Sequence, residues 1–157
     1  MTDETSFPFV SIIVPVFNES KNLDKCLNSL LSQNYPKTRY ELIVVDNGST
    51  DDSVNIAKNY TNKVFIKEDV KVGGVRNYGA KQAKGEVLAF IDGDCVANEK
   101  WLSEAVGYLG DKNVGGVGGG YLLRERPSWV ERGWKLSSAK ETRKVKALAG
   151  GSFILSR

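Results

Sequence analysis

The chain contains no histidine among its 157 residues. This absence excludes a Ser-His-Asp triad, a zinc site with histidine ligands and an imidazole general base. Any general base must therefore be a carboxylate, a lysine or a tyrosine, or must come from outside this chain.

Cysteine is almost as scarce, since Cys26 and Cys95 are the only two in the sequence. Two cysteines do not form the pattern of a disulfide framework, so a reducing intracellular compartment is expected. Residues 1–8 are acidic and polar, unlike a secretory signal peptide, and we expect them to be flexible. The predicted location is the cytoplasm, with the cytoplasmic face of the membrane as an alternative.

Long apolar runs and a strong net charge are also missing. No stretch approaches the roughly 20 apolar residues that a membrane-spanning helix needs. The net charge of +3 is too small to argue for nucleic acid, and no run matches a nucleic-acid-binding signature. The length fits one domain, and 41% hydrophobic and 26% charged residues are typical of a globular protein.

Short apolar segments alternate with amphipathic ones over the first 110 residues. The pattern predicts strands at 10–16, 42–45, 63–66 and 87–91, and helices near 23–31, 54–57, 75–84 and 101–109. Asn18 or Ser20 is the predicted cap of the first helix, and Thr50 or Asp51 that of the second. Four strand–helix alternations predict an α/β fold with a mostly parallel sheet and helices on both faces.

The pattern changes after Gly110. Residues 114–123 include five glycines and predict a strand with an unusual backbone. Residues 124–146 are rich in charge and tryptophan, which favours a solvated helix, with contact to an acidic substrate or a membrane surface as the functional alternative. Residues 149–155 predict one more turn and strand.

The most informative motif is Asp92-Gly93-Asp94, which directly follows the apolar run Val87–Ile91. Open α/β sheets bind ligands at the carboxyl ends of their strands, where Asp46 also falls. The glycine lets the backbone approach a ligand closely. Because Mg²⁺ and Mn²⁺ take oxygen ligands and share them with substrate phosphates, the motif predicts a metal–diphosphate site. The alternative is a polar turn after a strand.

Four segments in this order resemble the family 2 glycosyltransferases, which have the GT-A fold and bind nucleotide sugars. They are the opening strand at 10–19, the second strand and base-binding turn at 44–51, the glycine-rich stretch at 73–79, and the Asp-x-Asp segment at 90–94. The resemblance covers residues 9–123 and, more weakly, 150–157. It implies one GT-A domain over residues 1–157, with a donor-binding core at 9–123 and the start of an acceptor-side region at 124–157.

The resemblance also implies a set of donor-binding positions, which are Pro15, Phe17, Glu19, Asp46, Gly74, Arg76, Asp92 and Gly93. The first three would lie along the nucleoside, and Asp46 would accept a hydrogen bond from the base. Arg76 would lie beside the base or the phosphates. A cation near the start of a helix opposes the helix dipole, so a nearby phosphate or carboxylate is expected to balance it. Asp92 would reach the ribose or the metal, and Asp94 would hold Mn²⁺ or Mg²⁺ on the diphosphate.

The activity that the resemblance implies is metal-dependent, inverting transfer of a sugar from a UDP- or GDP-sugar to a glycan or lipid-linked acceptor. Members of the family place a catalytic carboxylate downstream of the segment that resembles residues 150–157. The general base is therefore expected C-terminal to Arg157, and residues 1–157 are expected to bind donor but transfer little sugar.

Two other hypotheses remain open. The segment Asp92-Gly-Asp-Cys-Val96 resembles the Asp-x-Asp-x-Val of haloacid-dehalogenase-type phosphohydrolases, in which the first aspartate is the nucleophile. That motif usually opens such folds, whereas three predicted strands precede it here. The other hypothesis is a binding module that retains the nucleotide sugar without chemistry.

Overall fold

The computed structural model describes residues 6–119 and 151–157. The strands of this part are β1 (Val10–Val16), β2 (Tyr40–Asp46), β3 (Val64–Ile66), β4 (Val87–Ile91), β5 (Gly116–Gly118) and β6 (Ser152–Ser156). Its α-helices are α1 (Leu23–Leu31), α2 (Ser53–Lys58), α3 (Val72–Gln82) and α4 (Trp101–Leu109), with one 3₁₀ turn at Lys37–Arg39. The expectations for residues 1–5 and for residues 120–150, including the charged segment, lie outside the described residues.

The described strands form one sheet in the order β3-β2-β1-β4-β6-β5. The pairs β1–β2, β1–β4 and β2–β3 are parallel, whereas β6 pairs antiparallel with both β4 and β5. The predicted α/β class is therefore confirmed, with an antiparallel edge beyond β4.

Helices cover both faces of the sheet, as predicted. On one face, alternate residues of β1 such as Ile12 and Val14 pack in a core cluster with residues of α1, α2 and α4. On the other, Ile13 and its neighbours pack against α3. Burial on both faces explains why the strands are continuous apolar runs.

Close packing explains two glycines of the α3 region. A Cβ atom added at Gly79 would lie 2.5 Å from Ile13 Cγ2, and one added at Gly85 would lie 2.5 Å from Ser11 N. The helix could not approach the sheet this closely with any larger residue at position 79. Gly85 was predicted to end the helix, but α3 ends at Gln82, and the glycine instead allows the chain to pass β1.

The helix starts differ from the predictions. The N-cap position of α1 is Asn22, so neither Asn18 nor Ser20 caps it. The N-cap position of α2 is Asp52, although Asp51 Oδ1 accepts a hydrogen bond from Ser53 N at 3.0 Å. No helix in the described part of the chain is long and apolar enough to cross a membrane.

Candidate functional site

A crevice opens where β1 and β4 separate at their carboxyl ends. The β1–β4 ladder runs only from Val10↔Val87 to Ile13↔Phe90, whereas β1 stays paired with β2 as far as Val16↔Asp46. The strand order reverses at this point, because β2 and β3 lie on one side of β1 and β4 on the other. Such switch points are where open α/β sheets bind ligands.

The cleft at this edge has a volume of about 390 Å³, near the lower end of the roughly 300–1,000 Å³ typical of ligand pockets. Its lining residues are Pro15, Val16, Phe17, Glu19, Asn47, Val72, Val75, Arg76, Asp92, Gly93 and Asp94. Seven of the nine sequence-predicted site residues are in this set, so the fold brings most of them together. Asp46 and Gly74 are not.

Asp92 and Asp94 lie on a tight turn at the end of β4. Cys95 N donates to Asp92 O at 3.0 Å, and Asp92 N donates to Gly151 O at 2.9 Å, which ties the turn to the start of β6. Asp94 is exposed and Asp92 is partly exposed. A Cβ atom at Gly93 would lie 3.5 Å from Pro15 O, an ordinary contact, so packing within the chain does not require this glycine.

Arg76 extends from α3 to the same turn. Its Nη2 lies 2.5 Å from Asp92 Oδ1, and its guanidinium carbon lies 5.6 Å from the centre of the Phe153 ring. The Phe153 ring in turn stacks on Phe90 at 4.7 Å. A phosphate or a carboxylate was expected near this cation, and the structure places the Asp92 carboxylate there. Arg76 Nε is buried without a hydrogen-bond partner among the described residues, so this donor is unsatisfied.

Asp46 is buried beneath the cleft and does not line it. Only 1% of its surface is exposed, and its Oδ1 accepts hydrogen bonds from Gly48 N at 2.9 Å and Ser49 N at 2.8 Å. Gly48 has a φ of 84°, so the turn needs a residue without a Cβ there. Asp46 Oδ2 is buried without a partner in the described structure. One oxygen holds the turn and the other is open to a donor.

Asn47 lines the cleft although the sequence reasoning did not select it. Its Nδ2 donates to Val70 O at 3.1 Å, while its Oδ1 is buried and has no partner among the described residues. Successive residues at a strand end point to opposite faces, so when Asp46 points inward, Asn47 faces the cleft. That alternation was the signal that could have identified it.

Phe17 is one of the remaining residues predicted to bind the nucleotide sugar. It is 56% exposed, which is unusual for a large apolar side chain at a cleft. Glu19 is half-buried, and Pro15 is buried in β1. Gly74 lies in the first turn of α3, and a Cβ atom there would lie 3.0 Å from Val70 Cβ. Packing against Val70 is thus sufficient to explain that glycine.

Both cysteines lie next to the Asp92–Asp94 turn. Cys26 is fully buried, and its Sγ approaches Asp92 O at 3.6 Å. Burial, followed by the nearby Cys95 and carboxylates, raises the pKa of Cys26 to about 12. Burial and Asp94 raise the pKa of Cys95 to about 12 as well. Both thiols therefore stay protonated at neutral pH, which fits their interpretation as core fillers.

The carboxylate pair fits an open magnesium or manganese site. The described residues contain no cluster of three or more histidine, cysteine or acidic side chains that could hold an ion alone. Mg²⁺ is typically bound through one or two carboxylates, with waters and substrate phosphates completing its shell. Asp92 and Asp94, both on the cleft, supply that number of ligands.

Comparison with known proteins identifies relatives of the chain. The family model for glycosyl transferase family 2 matches residues 11–153. The glycosyltransferase AglE of Haloferax volcanii is 45% identical over 121 residues, which are 73% of this chain and 40% of AglE. The poly(ribitol-phosphate) beta-N-acetylglucosaminyltransferase TarS of Staphylococcus aureus is 39% identical over 105 residues, which are 63% of this chain and 18% of TarS.

Two solved structures share the fold. The mannosyltransferase PcManGT of Pyrobaculum calidifontis, in complex with GDP-Man and Mn²⁺, has a TM-score of 0.66 and 28% identity over 78% of this chain and 37% of that one. S. aureus TarS 1–349, in complex with UDP-GlcNAc, has a TM-score of 0.63 and 32% identity over 76% of this chain and 36% of that one. The chain spans less than half the length of each of these relatives.

Proposed function

The chain belongs to glycosyl transferase family 2, and on that premise we propose that it is the donor-binding part of a metal-dependent glycosyltransferase. The proposed reaction moves a sugar from a UDP- or GDP-sugar to a glycan or lipid-linked acceptor. The observation that carries the proposal is the convergence of two carboxylates, Arg76 and the exposed ring of Phe17 on one cleft at the switch point of the sheet.

In this proposal the cation is Mn²⁺ or Mg²⁺, held by Asp94 and by the Asp92 oxygen that does not face Arg76. A divalent cation stabilises the negative charge that develops on a departing nucleoside diphosphate. PcManGT, which shares the fold, has been solved with GDP-Man and Mn²⁺, and the two carboxylates fit the same class of ion.

The nucleoside would lie along Pro15, Phe17 and Glu19. An exposed aromatic ring offers a face on which a base can stack, and the buried free acceptors of Asp46 and Asn47 suit the N–H groups of a base. PcManGT has been solved with GDP-Man and TarS 1–349 with UDP-GlcNAc, so guanine and uracil are the two candidate bases.

The general base, the inverting outcome, the domain limits and the cytoplasmic location stay predictions. The described residues offer no histidine for the role of base, and a carboxylate C-terminal to Arg157 is still the predicted candidate. The acceptor is proposed as a glycan or lipid-linked group, consistent with the polymer named for TarS.

A phosphohydrolase that uses Asp92 as its nucleophile is disfavoured. The Asp-x-Asp-x-Val motif usually opens such folds, whereas β1, β2 and β3 precede Asp92, and the family model for glycosyl transferase family 2 matches residues 11–153. A crystal structure after incubation with beryllium fluoride decides between the two. An adduct on Asp92 would defeat the transferase proposal.

The proposed function is tested by thermal-shift measurements against a panel of nucleoside diphosphates and nucleotide sugars, each with and without Mn²⁺. A ligand that binds only the folded state raises the melting temperature by mass action. We expect one nucleoside diphosphate to raise it, and Mn²⁺ to enlarge that rise. No shift with any member of the panel would overturn the proposal.

A further inference from the structure

Two loops beside the cleft are connected by several hydrogen bonds. The first loop joins β1 to α1 over residues 17–22, and the second joins β2 to α2 over residues 47–52. Asn18 N donates to Ser49 Oγ at 2.8 Å, and Thr50 N donates to Asn18 Oδ1 at 2.8 Å. Asn18 thus uses both its backbone and its side chain to hold the second loop.

The next two residues of the first loop make further hydrogen bonds of this kind. Glu19 N donates to the hydroxyl of the buried Ser53 at 2.9 Å, and Ser20 N donates to Asp51 Oδ2 at 3.0 Å. Asp51 Oδ1 accepts from Ser53 N at 3.0 Å and from Ser53 Oγ at 2.5 Å, so both oxygens of Asp51 are engaged. The hydrogen bonds from Ser53 and then Ser20 lower the pKa of Asp51, which keeps it ionised.

Within the first loop, Asn22 N and Leu23 N each donate to Glu19 O at 2.9 Å, and these bonds hold Glu19 but not Phe17 or Asn18. Asn18 has a φ of 54°, a left-handed conformation that asparagine tolerates better than most residues. Phe17, immediately before it, is mostly exposed and so gains little from core packing. Phe17 and Glu19 line the cleft, whereas Asn18, Ser49 and Asp51 do not.

We propose that the second loop acts as a positioning element, which holds Phe17 and Glu19 in the geometry that binds the nucleoside. This inference rests on the proposed function. It changes the role of residues 49–51, which the family resemblance placed in a base-binding turn, because these residues hydrogen-bond to a neighbouring loop. Holding a binding loop in its bound conformation raises affinity by reducing the ordering cost of binding.

Asn18 offers the sharpest test because two substitutions separate the contribution of its side-chain hydrogen bond from that of its backbone conformation. Asn18→Gly keeps the positive φ and removes the acceptor for Thr50 N, whereas Asn18→Asp keeps both. The dissociation constant is measured by titration calorimetry for the nucleoside diphosphate that stabilises the wild type most. We expect Asn18→Gly to weaken binding roughly 3- to 10-fold, the range of one lost hydrogen bond, and Asn18→Asp to restore it.

Control variants show whether the effect is specific to the hydrogen bonds between the two loops. Asp52→Asn changes an exposed carboxylate of the second loop that accepts from Asn55 Nδ2, and it should leave affinity unchanged. Ser49→Ala removes the acceptor of Asn18 N and should behave like Asn18→Gly. It serves as the second variant if Asn18→Gly does not fold, which its melting temperature reports.

A double-mutant cycle distinguishes positioning from a general structural role. In a Phe17→Ala/Glu19→Ala background, Asn18→Gly should cause no further loss of affinity, because the side chains it positions are gone. An equal loss in that background, or an unchanged affinity in the wild-type background, would overturn the inference while leaving the proposed function standing. If the wild type binds no nucleoside diphosphate, the proposed function fails and this inference with it.

Discussion

Arg76 on α3 and Asp92, directly after β4, form an ion pair in the lining of the cleft, with Nη2 and Oδ1 2.5 Å apart. The pair joins the helix that begins at the cleft to the turn that carries both predicted metal ligands. The Phe153 ring beneath the guanidinium and the stacked Phe90 ring add further contacts on β6 and β4. The position of the Asp92 carboxylate therefore depends on residues from three separate elements.

Replacing Arg76 with methionine should destabilise the protein, because Asp92 loses its partner while the volume stays similar. We expect a loss of about 1–2 kcal/mol in the free energy of unfolding, reduced from the value of a fully buried pair because Asp92 is partly exposed. Urea denaturation measures this. Lys81→Met, on an exposed position of the same helix, is the control, and an equal effect of the two substitutions would contradict a specific role for the pair.

Asp94→Asn should remove the metal-dependent part of nucleoside-diphosphate affinity and leave the fold intact. An amide is a weaker ligand for a hard cation than a carboxylate, and even loss of an outer-shell partner typically lowers metal affinity by about 10- to 100-fold. Calorimetric titrations with and without Mn²⁺ measure the difference. Mn²⁺-dependent binding that is as strong in Asp94→Asn as in the Asp52→Asn control would exclude Asp94 as a ligand.

Asp46→Asn tests whether the buried Oδ2 selects the base. The substitution can keep an acceptor for Gly48 N and Ser49 N while it replaces the free oxygen with an N–H donor. If a base N–H faces this atom, affinity for one nucleoside diphosphate should fall by about 1–3 kcal/mol. The same panel on Asn47→Asp, which keeps an acceptor at the cleft, is the comparison. A uniform loss across all bases would reject a role of Asp46 in base choice.

Gly79→Ala should be destabilising although alanine favours helices. Its Cβ would lie 2.5 Å from Ile13 Cγ2, and such overpacking typically costs about 1–3 kcal/mol. Gly107→Ala in α4 is the matched control, since a Cβ there meets nothing within 4 Å. The control should stabilise by roughly 0.5–1 kcal/mol from helix propensity. Thermal unfolding of the two variants should give shifts of opposite sign; two stabilising shifts would show that α3 can move away from the sheet.

Glu41 should make the protein acid-sensitive. Burial raises its pKa, but hydrogen bonds from Lys63 Nζ, Ser11 Oγ and Lys84 N outweigh burial and hold the pKa below its usual value. A carboxyl with a lowered pKa in the folded state stabilises the protein above its unfolded pKa of about 4.3, and the contribution is lost as the pH falls through the folded value.

Glu41→Gln should therefore lower the free energy of unfolding by about 1–3 kcal/mol at pH 7, and the difference from wild type should shrink below about pH 4. Denaturant titrations between these pH values measure the trend. Glu99→Gln, at an exposed position, is the control. A difference that stays constant with pH would show that the lost contacts do not depend on the charge of Glu41.

The sequence alone determined the elements and the edge of the sheet at which the site lies. Apolar runs such as Val10–Val16 and Val87–Ile91 match the strands residue for residue, because a strand buried on both faces needs continuous apolar residues. The position of Asp92 and Asp94 at the cleft followed from the same logic, since polar residues that end parallel strands share one edge.

Tertiary structure alone decided which way each polar side chain faces and with what it pairs. The side chain of Asp46 is buried and accepts hydrogen bonds from the following turn, and Asn47 lines the cleft instead. The side chain of Asn18 connects two loops and does not cap a helix. The glycines at positions 79 and 85 are explained by neighbours in or next to β1, which are distant in the chain. Periodicity in the sequence reports which residues are buried, but the partners of a polar group depend on distances between segments far apart in the chain, and only the folded chain defines those distances.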